Sequence, residues 1–483
     1  MIPRPPVVAI LGHVDHGKTT LLDFIRQSNI TDKEHGSITQ KIGGYEVVPG
    51  IKGYPVDRIT FIDTPGHEAF SFLRARGANV ADIAILIIDG KDSIMPQTVE
   101  SISNIKTANI SFIVAVNKID LPEANIDRVK NDLLKYDVIV EDKGGSVLTL
   151  PISAKTGKGI SELLEAILLL TADLNLKYDP DAPPLGYIIE TKKDRRGIIA
   201  SIILKNGHIK VGDTIFAGNI KAKVRSIYND YGKQIPVVYP STPMEILGFD
   251  TLPQTGVLIS DKFQAIEKPP EKTISARSPL DLASFLAPEK KEKQLSVIIK
   301  TDSQGSLEAI SNALHKNKNI VILLAAVGGI HKSDIFLAKT SKAIVIGFNA
   351  NLDPDIKNIA KQEKVIIKTY NIIYDLLEEL TEVSELMKEK EETEKNLKGE
   401  GKVLANFIID KEKVIGIKVI KGKINLTDEL QIFRDNNLFG KAKLVSLQIR
   451  AKKVSEIKKD QEAGLILSPP LDIRVGDVVK SIL

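Results

Sequence analysis

The segment that most restricts the fold of this chain is a glycine-rich octapeptide at residues 12–19, with the sequence GHVDHGKT. It fits the pattern GxxxxGK[ST] and lies between a short apolar run at 7–11 and a predicted helix at 19–26. Such a loop holds phosphate groups with backbone N–H groups at a helix N-terminus. We expect Lys18 to contact the β- and γ-phosphates of a nucleotide and Thr19 to bind Mg²⁺. The octapeptide therefore predicts a strand–loop–helix unit of a doubly wound α/β domain.

Three further short motifs each follow a predicted buried strand: DTPGH at 63–67, NKID at 117–120 and SAK at 153–155. Asp63 is placed to hold Mg²⁺ through water. The carboxylate of Asp120 can accept both N–H groups of a guanine edge, whereas adenine offers the wrong pattern. The order and spacing of the motifs predict a guanine-nucleotide site. Its candidate residues are Gly12, His13, Val14, Asp15, His16, Gly17, Lys18, Thr19, Thr20, Asp63, Thr64, Pro65, Gly66, Asn117, Lys118, Asp120, Ser153, Ala154 and Lys155.

Two residues are candidates for switching and catalysis. Thr39 lies between the octapeptide and the strand before Asp63, where a switch segment supplies a second Mg²⁺ ligand when γ-phosphate is present. His67 is the candidate for orienting the attacking water; a capping or surface histidine is the alternative. Arg74 and Arg76 are expected on the following helix, so no arginine of this chain is assigned to the transition state. Intrinsic hydrolysis should then be slow and need an outside activator.

Composition narrows the function classes. The 483 residues suggest roughly three domains. The absence of cysteine excludes disulfides, thiolate-bound zinc, iron–sulfur clusters and thiol catalysis, and it fits a reducing cytosol. No apolar run is long enough to span a membrane, and the start has no signal-peptide pattern, so a cytoplasmic location is expected. From 401 to 483 there are 16 basic and 10 acidic residues, which leaves open RNA contact or an ordinary solvated surface.

Changes in pattern along the chain divide it into parts. Alternating strands and helices fill the first part, short strands with turns fill the second and the last, and a charged helical stretch precedes the last. The predicted boundaries are 1–178 for the P-loop domain, 183–266 for a β-barrel, 267–293 for a linker, 294–370 for a small αβα sandwich, 371–398 for a linker helix and 400–483 for a C-terminal β-barrel.

The motifs together resemble the bacterial-type translation initiation factor 2 family of translational GTPases. The octapeptide and DTPGH are typical of the class, and the resemblance extends over essentially the whole chain. The segments that match the family more narrowly are 38–40, 74–78, 95–98, 304–309, 333–334, 346–349 and 372–374. We expect the chain to lack the charged N-terminal extension that the family usually has.

The resemblance implies a P-loop GTPase domain, a β-barrel, an αβα domain, and a second barrel on a long helix. It implies GTP or GDP with Mg²⁺, a monomer without membrane contact, and binding to both ribosomal subunits and their rRNA. Hydrolysis would be activated by the ribosome through His67, flanked by the apolar pair Val14 and Ile38. Asp15 matches a position linked to a monovalent cation.

The resemblance also implies that the last barrel holds the acylated end of initiator formylmethionyl-tRNA. The candidate residues are Arg450, Lys452, Lys453, Glu462, Ala463 and Gly464. The chain departs from the family here, because 448–453 is QIRAKK instead of KRFKDD and Ala463 replaces a cysteine. One alternative is therefore a ribosome-bound GTPase switch without tRNA recognition. Another is a relative of the archaeal and eukaryotic initiation factor 5B, although the segments 95–98 and 304–306 favour the bacterial type.

Overall fold

The computed structural model describes residues 1–27, 39–263, 294–409, 412–435, 437–450 and 452–482. The predicted linker 267–293 and Ile38 lie outside the described residues. The described chain forms two compact units: one contains residues 1–263 and 296–381, and the other contains residues 294–295 and those from 382 onward. In the part of the chain that the structure describes, no helix is long and apolar enough to cross a membrane.

The first unit begins with a six-stranded sheet in which five strands are parallel and the edge strand Gly43–Val47 is antiparallel. The central strand Val7–Gly12 is buried throughout, since helices cover both faces. Ile10 joins the core on one face and Leu11 the core on the other, which explains the continuous apolar run. The strand order is Gly43–Val47, Ile59–Asp63, Val7–Gly12, Ile83–Asp89, Ser111–Asn117, Thr149–Pro151; the helices are Lys18–Arg26, Ser71–Val80, Pro96–Ala108, Ile126–Leu134 and Ile160–Leu174.

A closed antiparallel barrel follows, with alternate residues of each strand directed into one apolar core. The pairing of Thr214–Ala217 with Ile220–Asn229 closes it. The strand order is Thr214–Ala217, Leu258–Ser260, Leu185–Asp194, Gly197–Asn206, Pro243–Phe249, Ile220–Asn229, Gln234–Ile235, and Ile209–Lys210 pairs with Val237–Val238.

The first unit ends with a four-stranded sheet and three helices. Ser303 caps the first helix by accepting a hydrogen bond from the Ser306 N–H, and this helix begins at Gln304. The strand order is Ile320–Val327, Leu295–Thr301, Ile344–Phe348, Ile367–Tyr370; the helices are Gln304–His315, Lys332–Ser341 and Pro354–Gln362.

The long helix is shorter than predicted. It spans Ile373–Asn396, and Leu397 already pairs with Ile482 in the strand Leu397–Ile409. The Lys/Glu-rich composition predicts a helix here, but it does not indicate that the helix ends at Asn396, where pairing with another strand begins.

The second unit holds a closed barrel, in which Leu397–Ile409 and Glu412–Asn425 pair to complete the ring. The strand order is Leu397–Ile409, Val478–Ile482, Glu429–Arg434, Asn437–Ile449, Glu462–Ser468, Glu412–Asn425, Glu456–Lys458, and Lys452–Lys453 pairs with Asn437–Ile449.

Three turns in the two barrels share one local geometry. Asp213, Asp428 and Asp477 each accept a hydrogen bond from the backbone N–H three residues before, at 2.8–2.9 Å.

Candidate functional site

The octapeptide forms the loop between the central strand and the helix Lys18–Arg26. Gly17 has φ +94°, and a Cβ there would lie 2.2 Å from the Asn117 amide nitrogen, so only glycine fits. The Lys18 ammonium group donates to the carbonyls of Gly12 at 3.1 Å and His13 at 2.6 Å. Burial lowers the pKa of Lys18 to about 8, although Asp63 opposes the shift. The loop thus holds a buried cation where phosphate oxygens would be received.

Three oxygen groups meet beside this loop. The hydroxyl oxygens of Thr19 and Thr39 are 2.7 Å apart, and the Thr39 hydroxyl donates to Asp63 at 3.3 Å. Hydroxyl and carboxylate oxygens are hard ligands of the kind that Mg²⁺ prefers, so this set fits the ion. Within the described residues there is no cluster of three or more His, Cys, Asp or Glu side chains suited to a metal. Any Mg²⁺ here would therefore rely on hydroxyl, phosphate and water oxygens as well as Asp63.

The opposite end of the site is built on Asn117. Its amide donates to the carbonyl of His16 at 2.8 Å and accepts from the N–H of Ala154 at 2.9 Å. The Ser153 hydroxyl donates to Asp120 at 2.7 Å and lowers the pKa of that carboxyl. Asp120 therefore stays ionised and presents an acceptor, as recognition of two guanine N–H groups requires.

Gly66 and His67 lie against the loop. A Cβ on Gly66 would approach the Lys18 ammonium to 2.5 Å, so the glycine permits a close approach of the two segments. His67 caps the short helix Glu68–Phe70, its Nδ1 accepting the Ala69 N–H at 2.8 Å. Burial, together with the nearby Arg74, lowers its pKa.

The two arginines after this segment lie on the helix Ser71–Val80, as predicted. Arg74 is fully buried, forms an ion pair with Glu100 and donates to the carbonyl of His67. Arg76 pairs with Glu308 at 2.9 Å. Both guanidinium groups are thus held in ion pairs within the protein, and neither is assigned to the transition state.

These segments enclose a cavity of about 390 Å³, here named the P-loop cleft. The predicted residues that line it are Val14, Asp15, Gly17, Lys18, Thr19, Thr20, Thr39, Gly66, His67, Asn117, Lys118, Asp120, Ala154 and Lys155. The other predicted residues are not part of its lining: Gly12, His13, His16, Asp63, Thr64, Pro65 and Ser153. Most of these are buried behind the lining and support it.

Sequence reasoning missed two lining residues, Leu121 and Tyr374. Leu121 follows the NKID motif directly and could have been found by extending it. Tyr374 is the second residue of the helix Ile373–Asn396, and no local signal connects it with a phosphate loop more than 350 residues earlier.

The predicted tRNA residues lie in the second unit. Arg450 is exposed at the end of a strand, and Lys452 and Lys453 are exposed in the short strand beside it. Ala463 is 6% exposed and packs in the barrel core, whereas Glu462 before it is exposed. Alternation along the strand thus places the Ala463 side chain away from the surface that carries the basic residues.

Comparison with known families agrees with this geometry. Residues 4–173 match the model described as Elongation factor Tu GTP binding domain, and residues 183–262 match Elongation factor G domain 2. A P-loop GTPase domain followed by such a barrel defines a translational GTPase, an enzyme that hydrolyses GTP. Residues 271–381 match the model Translation-initiation factor 2.

Whole-chain relatives narrow the assignment. The chain is 40% identical to translation initiation factor IF-2 of Caldanaerobacter subterraneus subsp. tengcongensis, with 99% of this chain and 69% of that protein covered. It is 41% identical to the factors of Bartonella tribocorum and Geobacillus sp., with 100% of this chain and 59% and 67% of those proteins covered. The chain belongs to the translation initiation factor IF-2 family.

Two further facts complete the comparison. The chain spans 59–69% of the length of these three relatives. A solved structure of GDP-bound aIF5B from Aeropyrum pernix is 27% identical, with 99% of this chain and 92% of that chain covered and a TM-score of 0.47. Since the relatives at 40–41% identity are IF-2 proteins, the 5B alternative is not favoured.

Proposed function

We propose that this chain is a GTP-driven initiation factor that binds both ribosomal subunits and initiator formylmethionyl-tRNA, promotes subunit joining in the cytoplasm and hydrolyses GTP on the ribosome. The observation that carries the proposal is the P-loop cleft, where a phosphate loop, a switch threonine and an ionised aspartate line one cavity. Family membership supports the ribosome and the tRNA as partners.

The nucleotide would lie along the cleft with its base at Asp120 and its phosphates at the loop. The loop N–H groups and Lys18 would hold the phosphates. Asn117 would connect the loop to the base pocket through its hydrogen bonds to His16 and Ala154. Mg²⁺, when bound by Thr19, Thr39 and, through water, Asp63, neutralises charge on the phosphates. Because γ-phosphate and Mg²⁺ would stabilise Thr39 in this position, GTP and GDP would give different switch conformations. Asp15, at the cleft surface, is the proposed partner of a monovalent cation.

His67 would orient the attacking water. It lines the cleft and directly follows Gly66, which packs on Lys18. His67 is therefore at the end of the cleft where the phosphates would bind. Its lowered pKa keeps the imidazole neutral near pH 7. Neither Arg74 nor Arg76 is available to stabilise the transition state, which supports slow hydrolysis until the ribosome acts.

His67→Ala tests this role. We expect GTP affinity near that of the unchanged chain and a loss of about 100-fold or more in ribosome-stimulated turnover. Single-turnover hydrolysis with and without ribosomes measures the effect. Unchanged stimulated turnover in the variant would refute the role.

The partner assignment needs its own experiment, because the chain departs from the family pattern at 448–453, where contacts with the tRNA are expected. Filter binding of the GTP-loaded chain to formylated and unformylated initiator tRNA, with and without ribosomes, measures the selection. Retention of the formylated form alone supports the proposal. Equal retention of both, together with ribosome-stimulated hydrolysis, would favour the ribosome-bound switch without tRNA recognition.

A further inference from the structure

Tyr374 contacts the proposed catalytic histidine although it belongs to a distant part of the chain. Its ring centroid lies 4.3 Å from that of His67, with the planes at 79°. Phe70 packs edge-on against the same imidazole at 6.1 Å. Aromatic rings at these separations and angles attract each other by about 1 kcal/mol beyond their burial. His67 thus contacts one ring from its own segment and one from the long helix.

The cap hydrogen bond fixes the proton of the imidazole. A backbone N–H only donates, so Nδ1, which accepts the Ala69 N–H, is unprotonated. The neutral ring therefore carries its proton on Nε2. The cap determines the tautomer, but one hydrogen bond leaves the ring free to tilt about it. The edge contact with Tyr374 restricts that tilt.

The position of Tyr374 is set by a residue of the switch segment. Gln40, 7% exposed, donates to the carbonyl of Asn371 at 2.9 Å and accepts the N–H of Ile373 at 3.1 Å. Ile373 and Leu376 are fully buried and anchor the same turn. Tyr374 itself is 41% exposed, so its ring lies on the cleft wall and not in the core.

We propose that Tyr374 is a positioning residue for GTP hydrolysis, which holds the His67 imidazole in the orientation needed at the γ-phosphate. The proposal rests on the proposed role of His67. The contact is made by the aromatic ring, so the phenol hydroxyl is dispensable. Because Gln40 directly follows Thr39, the same turn of the long helix contacts both segments that respond to γ-phosphate. Displacing this turn would loosen His67.

The charges around His67 determine the expected pH signature. Arg74 donates to the His67 carbonyl and lowers the pKa of the imidazole, Glu68 opposes it, and Lys316 pairs with Glu68. Asp15 faces Tyr374. Burial is the largest cause of the lowered pKa of His67. Removing the Tyr374 ring admits water, so this pKa rises towards its ordinary value of 6.5. Since the neutral imidazole is the competent form, the acid limb of the rate profile moves to higher pH.

Single-turnover hydrolysis of GTP by the full chain on ribosomes, across pH, tests the proposal with five variants. Tyr374→Ala should lower the rate about 10- to 100-fold, because the His67 imidazole would no longer be held in place. The affinity for GTP and GDP should not change. Tyr374→Phe should remain within about twofold, because the ring is kept. The double variant with His67→Ala should be no slower than His67→Ala alone.

Tyr370→Ala is the matched control. The Tyr370 hydroxyl donates to Glu379 of the same long helix at 2.8 Å, but Tyr370 does not line the cleft. It should keep the rate and the pH profile. If Tyr370→Ala lowered the hydrolysis rate as much as Tyr374→Ala, the loss would come from a general disturbance of the helix, and the proposal would be wrong. Full activity of Tyr374→Ala beside an inactive His67→Ala would overturn this proposal alone. An active His67→Ala would instead overturn the proposed role of His67.

Discussion

Asn117 connects the two ends of the P-loop cleft. One side-chain amide makes both a hydrogen bond to the His16 carbonyl of the phosphate loop and one from the Ala154 N–H of the base pocket. Its nitrogen also occupies the space that a Cβ on Gly17 would need. The sequence motifs identified these residues because each constraint acts over a few positions. The bonds that join one motif to another depend on the tertiary fold and were not predictable.

Asp120 is the residue whose charge should decide base selection. Asp120→Asn replaces a carboxylate acceptor by an amide of the same size, so guanine should lose about 100-fold in affinity and xanthine should gain. Competition between GTP and XTP for the unmodified chain and the variant measures this. Ser153→Ala is the control: it removes the 2.7 Å bond to Asp120 and should weaken GTP without favouring XTP. A variant at Asp120 that still prefers GTP would contradict the base-pocket assignment.

At the scale of elements, strands were more predictable than helix ends. A continuous apolar run predicts the strand Val7–Gly12, because a strand buried on both faces permits few polar residues. The long helix was predicted from residue 371 and begins at Ile373, where Gln40 supplies the acceptor for an otherwise unpaired N–H. That cap is more than 330 residues away in sequence, so no local pattern could show it. Tyr374 was missed for the same reason.

The cap predicts a local effect of Gln40→Ala. Loss of both hydrogen bonds should cost about 1 kcal/mol at the helix start and speed hydrogen exchange in its first turn. Exchange measured by mass spectrometry on peptides covering 367–380 reports it. Asn125→Ala is the matched control, since Asn125 caps the helix Ile126–Leu134 by accepting the Arg128 N–H at 2.9 Å. Its effect should stay in that helix. Unchanged exchange at 367–380 in Gln40→Ala would show that the cap is not what holds the turn.

At the scale of the first unit, a buried ion cluster joins the P-loop domain to the barrel that follows it. Asp82 accepts two hydrogen bonds of 2.7 Å from Arg4 and forms an ion pair with Lys205 at 2.8 Å. Arg4 also donates to the Ser241 hydroxyl of the barrel. Burial alone would raise the pKa of Asp82, but the two cations outweigh it and the pKa is lowered. The pair with Arg4 is bidentate and is therefore the stronger half of the cluster, whereas burial lowers the pKa of Lys205 to about 8.

The cluster should control stability through Asp82. Asp82→Asn leaves Arg4 and Lys205 buried without a counter-charge and should lower the free energy of unfolding by about 3–5 kcal/mol. Lys205→Met keeps the pair with Arg4 and should cost far less. Because a chain of several domains does not unfold in one step, the readout is the thermal transition that GDP shifts upward.

In the unchanged chain a lowered carboxyl pKa means stability that is present at neutral pH and lost as pH falls below the ordinary value of 3.8. Asp82→Asn should lack this part of the acid dependence. Equal stability of Asp82→Asn and Lys205→Met at pH 7 would contradict the assignment, since only the first leaves two buried cations unpaired.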